Sequence, residues 1–152
     1  YIGDGNNVTH SLMIAAAISG ANMSVATPKG HEPDSAIVTY CQSLAEQHGG
    51  DLTLTNNINE LQKADAVYTD TWLSMGDETP LEKIKSKFQP FQLNAELMDK
   101  LDAKYALHCQ PAHRDLEITS EVVDSEQSLL LLQAENRLHA QNAILLSLLC
   151  KV

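Results

Sequence analysis

A three-layer αβα domain on a mostly parallel sheet is the fold this sequence predicts, and three observations predict it. Short apolar runs alternate with longer segments of helical periodicity. The stretches between the runs are long enough for the crossovers that parallel strands require. Turn and cap residues mark the changes of period: Gly3 and Gly5, Gly20, Pro28, Pro33 and the pair Gly49-Gly50.

The elements follow in order. Tyr1-Ile2 reads as the end of a first strand, and Gly3-Asp4-Gly5 as a turn. Asn6 or Asn7 caps a helix whose stripe is Val8, Leu12, Ala15, Ala16 and Ser19, closed by Gly20. Residues 23–27 form a second strand, stopped by Pro28. Pro33 suits a helical first turn, followed by Asp34 and the stripe Ile37, Val38, Cys41, Leu44 and Ala45. Residues 52–55 read as a third strand, 59–63 as a short helix, 66–69 as a fourth strand. Thr79-Pro80 starts a helix through Lys87, and Asn94 caps another to Leu101. Residues 105–108 make a fifth strand. Residues 129–132 are either a sixth short strand or an apolar connector, and an amphipathic helix closes the chain from Glu135 onward. With right-handed crossovers this is a Rossmann-like arrangement, and in such sheets ligands bind beyond the carboxyl ends of the strands.

Bulk properties narrow the function. The 152 residues suit one domain, 1–152, and 43% hydrophobic residues supply a core. Twenty acidic residues against ten Lys and Arg give a formal charge of -10. Such a chain repels phosphate backbones and anionic lipid, so neither nucleic acid nor membrane is an expected partner. Cys41, Cys109 and Cys150 have no CxxC spacing, which argues against a disulfide framework and a zinc site. With no signal-like or membrane-spanning run, the expected location is the cytoplasm. The chain opens on what reads as a strand, without an initiator Met, and so reads as a fragment of a longer protein.

Chemistry concentrates after the strands. GDGNN at residues 3–7 is a tight turn and cap, or an anion site in which Asn7 and a helix N-terminus hold a carboxylate. It fails the GxGxxG fingerprint, which disfavours a nicotinamide dehydrogenase. In DTWLSMG, Asp70 is a helix cap above a packed Trp72, or it takes an ammonium while Ser74 and backbone amides take a carboxylate. In HCQPAHR, Cys109 is an inert buried thiol, or a thiolate favoured by His113 and Arg114. A metal held by Cys109 and His113 lacks a carboxylate partner. Arg137 is a surface ion-pair residue or a planar fork aimed at an oxyanion.

Together YIGDGNN, VATPKGHEPD, ADAVYTDTWLSMG, HCQPAHR and AENRLHAQ resemble the second half of the ornithine carbamoyltransferases, in order and with matching spacing to about residue 146. The resemblance implies transfer of a carbamoyl group from carbamoyl phosphate to the side-chain amine of L-ornithine, without metal or organic cofactor. It implies that Asp70 and Ser74 hold the α-amino group, and that Asn7 and the Met75 backbone hold the α-carboxylate. Cys109 and the carbonyls of Cys109 and Gln110 would face the attacking amine. Arg137 would reach the carbamoyl oxygen. Separately, the punctuation by Gly76, Pro80 and Pro90 motivates the expectation that the segment from Leu73 to Phe91 closes over ornithine. Gln110 stands where the family usually has Leu, and Asp115 where it usually has Gly. The family's phosphate-binding Ser-Thr-Arg-Thr-Arg motif has no counterpart here, and its trimer contacts lie largely in the half that carries that motif.

Overall fold

The structure, a computed structural model, describes residues 1–73 and 79–150. Strands β1 (Met23–Ala26) and β2 (Leu52–Thr55) pair in parallel, as do β3 (Ala66–Thr69) and β4 (Tyr105–His108). Ile2 joins the two pairs, bridging Ala26 on one side and Thr69 on the other. Its amide donates to Tyr68 O at 3.0 Å, and Ala26 N donates to Tyr1 O at 2.9 Å. The order is therefore β2-β1-Ile2-β3-β4, all parallel, and the first strand of the sequence reading survives as this central bridge.

Period-2 alternation sends neighbouring side chains to opposite faces. Tyr1, Val25 and Leu52 pack on one face with Met13, Ala17, Cys41 and Ala45 of helices α1 (Asn7–Ser19) and α2 (Ser35–His48). Ile2, Ala26, Val67 and Ala106 pack on the other with Leu97, Met98, Ile118 and Val122. These last belong to or flank α4 (Ala95–Lys100) and α5 (Ser120–Val123). Each fully buried aliphatic side chain contributes about 1.5–3 kcal/mol. Three layers result, as the sequence predicts. A smaller cluster of Trp72, Ile84 and Phe88 ties α3 (Leu81–Phe88) to the segment after β3.

Caps set most boundaries. Asn6 rather than Asn7 caps α1, its side-chain oxygen accepting from Val8 N and Thr9 N. Asp34 caps α2 in the same way, so Pro33 lies just outside the helix rather than in its first turn. Asn94 caps α4. Residues 59–63 do not form a helix: only a single 3-10 turn, Ile58–Glu60, follows the Asn57 cap.

The apolar run at 129–132 is not a strand. Leu129 N donates to Ala106 O, and α6 (Leu130–Leu149) starts at the next residue, five positions before Glu135. Helix α6 leaves the core at once. Leu130 is buried and Gln133 half-buried, and every other position from 131 to 150 is exposed.

Both edges of the sheet end on a glutamine side chain. Gln42 Nε2 donates to the outward carbonyl of Leu52 on β2 at 3.3 Å. On β4, Ala106 N donates to Gln127 O and Ala106 O accepts from Leu129 N; then Gln133 Oε1 accepts from His108 N at 3.3 Å.

Candidate functional site

A cavity of about 460 Å³ opens beyond the carboxyl ends of β3 and β4, beside the start of α1. Asn6, Asn7, Asp70, Trp72, Cys109, Gln110 and His113 are among its lining residues. The turn before α1 needs Gly5: a Cβ there would lie 2.3 Å from Pro33 N, inside van der Waals contact with backbone. That close approach carries Asn6 and Asn7 to the cavity.

Asp70, only 4% exposed, is the centre of the site. Its Oδ2 accepts from Asn6 Nδ2 at 2.9 Å, and its Oδ1 accepts from Thr71 N at 2.6 Å and from the Cys109 thiol. Asn6 therefore does two jobs, capping α1 with its oxygen and holding Asp70 with its nitrogen. Among the described residues Asp70 caps no helix.

Burial pushes the Cys109 thiol up to about 12, with the Asp70 hydrogen bond and charge adding to the effect. The group is a protonated thiol at neutral pH. This corrects the thiolate reading, and the geometry explains why: Arg114 is turned away into a two-pronged ion pair with Asp124, at 2.6 and 2.7 Å. Cys109 is left facing a carboxylate instead of a cation.

Beneath Cys109 lies a buried pair. His108 Nδ1 accepts from Gln110 N at 2.9 Å, which leaves its Nε2 as the donor to Glu117 Oε1 at 3.0 Å. The same oxygen accepts from His113 N at 2.6 Å. Both side chains are fully buried. Glu117 thus binds both ends of the turn carrying Gln110, whose backbone is left-handed at φ 63. Glu117 Oε2 and the Trp72 indole nitrogen are buried with no hydrogen-bond partner among the described residues. Asp115 is also left-handed, and its carboxylate accepts from Ser120 N and Ser120 Oγ at the start of α5.

Asp70, His108 and Cys109 place three metal-capable atoms within 4.8 Å of one another. This is a different grouping from the Cys109–His113 pair weighed in the sequence. Its atoms are already bonded: the thiol to Asp70, and His108 Nδ1 to a backbone N–H.

Of the residues singled out in the sequence, Asn7, Asp70, Cys109 and Gln110 line the cavity. Ser74 and Met75 lie outside the described residues, as does part of the 73–91 segment. Arg137 is exposed on α6 and is not among the lining residues. Sequence reasoning missed Asn6 as a ligand of Asp70, and the His108–Glu117 pair. One signal was available for the latter: Glu117 sits between Leu116 and Ile118, a charge in an apolar setting.

A buried carboxylate, a neutral thiol and a helix start gathered at the carboxyl edge of a parallel sheet define an α/β domain with a pocket suited to a small polar molecule. Comparison with known proteins makes the class specific. The family described as "Aspartate/ornithine carbamoyltransferase, Asp/Orn binding domain" matches residues 1–148. Ornithine carbamoyltransferase of Moritella profunda is 55% identical over 149 residues, covering 98% of this chain and 50% of that protein. The solved structure of ornithine carbamoyltransferase from Pyrococcus furiosus superposes with a TM-score of 0.89 at 46% identity, covering 96% of this chain and 47% of the other. The anabolic ornithine carbamoyltransferase of Campylobacter jejuni gives 0.89 at 32% identity. The chain belongs to the aspartate/ornithine carbamoyltransferase family, in its Asp/Orn-binding domain. It spans about half the length of these relatives.

Proposed function

We propose that this chain, as a single domain over residues 1–152, is the ornithine-binding half of an ornithine carbamoyltransferase. The observation that carries the reading is the buried Asp70 carboxylate at the cavity floor, flanked by Cys109 and the start of α1. A buried carboxylate selects an ammonium, and a helix start with Asn7 suits a carboxylate 
. An α-amino acid presents both. Ser74 and the Met75 backbone complete this grip, Ser74 on the amine and Met75 on the carboxylate.

The side-chain amine attacks as the neutral base. Its lone pair forms a C–N bond to the carbamoyl carbon, the C–O bond to phosphate breaks, and phosphate leaves. The proton shed by nitrogen goes to phosphate or solvent. Cys109, held as a neutral thiol, does not compete as a nucleophile; it and the carbonyls of Cys109 and Gln110 align the amine. Arg137 steadies the charge that develops on the carbamoyl oxygen. The segment 73–91 closes over the bound amino acid. Carbamoyl phosphate is bound chiefly by a companion half, and the whole enzyme is a homotrimer or a multiple of it, in the cytoplasm. Among the described residues no helix is long and apolar enough to cross a membrane.

The test is the intact mass of the expressed gene product together with a citrulline assay. A product about twice this length that makes citrulline from L-ornithine and carbamoyl phosphate supports the reading. A product of this length that binds ornithine and makes no citrulline replaces it with an amino-acid-binding module.

A further inference from the structure

Among the described residues, helix α6 is attached to the domain only at its foot. Leu130 is buried, and among the described residues beyond it the one not exposed is Gln133. Gln133 makes two hydrogen bonds, to different strands. Its Oε1 accepts from His108 N at 3.3 Å, and its Nε2 donates to Tyr68 Oη at 2.7 Å. His108 N is an outward amide of β4, where the main chain of residues 127–129 has stopped supplying partners. The side-chain amide takes the place of the next strand residue. Without it, an amide one position before Cys109 would be unpaired in a half-buried setting, a costly state. Tyr68 is itself fixed, stacked on Tyr1 with ring centres 6.3 Å apart.

Arg137 stands four residues after Gln133, one turn on and on the same side of the helix. The angle at which α6 leaves the sheet therefore decides where the guanidinium stands relative to Cys109. We propose that Gln133 is a positioning residue: by tying the foot of α6 to the ends of β3 and β4, it sets the place of Arg137 in carbamoyl transfer. This rests on the role given to Arg137 above.

The experiment separates the two ideas. In the 152-residue chain, residual dipolar couplings of residues 134–141 report the angle of α6 to the sheet, and hydrogen exchange reports the His108 amide. Gln133→Met should scale the α6 couplings down and speed His108 exchange about tenfold. Gln133→Glu should restore both, since a carboxylate accepts from His108 N–H and from the Tyr68 hydroxyl. In the citrulline-forming gene product, Gln133→Met should lower kcat about tenfold or more with the KM for ornithine unchanged, and Gln133→Glu should recover most of it. Unchanged couplings and exchange in Gln133→Met overturn the proposal. So does a freed helix with kcat intact. A gene product without citrulline formation overturns the role of Arg137 instead, while the couplings still decide the anchor. Should Gln133→Met not fold, Tyr68→Phe removes one of the two ties and must shift the couplings in the same direction.

Discussion

The two parts of the molecule that the proposed reaction needs are held in opposite ways. The floor of the cavity is cross-linked from every side: Asp70 by Asn6, Thr71 and Cys109, and the turn after β4 by His108 and Glu117. The arm that carries Arg137 leaves the domain after one turn, with Leu131, Leu138, Leu145 and Leu148 exposed. The contrast teaches where preorganisation resides. Asp70 and Cys109, proposed to meet the amino acid, are held from several elements of this chain, whereas the group proposed to meet the carbamoyl oxygen is only aimed by it.

The sharpest way to break that comparison is at Glu117. Glu117→Ala strands the buried His108 Nε2–H and the His113 amide, and should cost about 2–5 kcal/mol in urea unfolding, at about 1–3 kcal/mol for each stranded donor. A loss under about 1 kcal/mol would mean the floor is not built on this pair. Next comes Asp70→Asn, which removes the charge proposed to take the ammonium. Calorimetry on the gene product should show ornithine affinity falling by roughly 1.5–3 kcal/mol. Equal affinity would sink the assignment.

The third effect is one of pH. The folded chain holds the Cys109 proton more tightly than the unfolded chain does, from 9.0 up to about 12. Its contribution to stability is complete below about pH 9 and is lost as pH rises toward 12. Cys109→Ala should therefore lose less stability across that window than the parent, read by urea midpoints at stepped pH. In the parent at pH 8, iodoacetamide should modify exposed Cys150 well before Cys109. The smallest effect lies on the arm. Leu138→Ser should leave the urea midpoint of this chain within error, because the side chain is 59% exposed. A clear loss would show that α6 is held by more than its foot.

Much of this was legible in the sequence, for reasons that differ by element. The four strands stand out as short apolar runs, β1 ending at Thr27-Pro28, and Asp34 and Asn94 announce their helices by side-chain chemistry. The start of α6 was not legible. A run of four leucines at 129–132 has no period that separates strand from helix, and the bond from Leu129 N to Ala106 O decides the matter. In the site, Asp70 and Cys109 could be singled out because each follows a strand. Their actual partners could not. Asn6 and Asp70 are 64 residues apart, and Arg114 lies near Cys109 in sequence yet pairs with Asp124. Local proximity suggested a cation beside the thiol, and tertiary packing supplied a carboxylate.

The two glutamines that finish the sheet have a consequence for life at high concentration. An outer strand with unpaired amides and carbonyls is a template on which a foreign strand can grow, and proteins commonly blunt such edges. Here Gln42 occupies an outward carbonyl of β2, and Gln133 an outward amide of β4. Each plugs its rim with a side chain that adds no further backbone to extend from. Replacing either glutamine with alanine would return one outward backbone group to the open edge, where an added strand could pair with it.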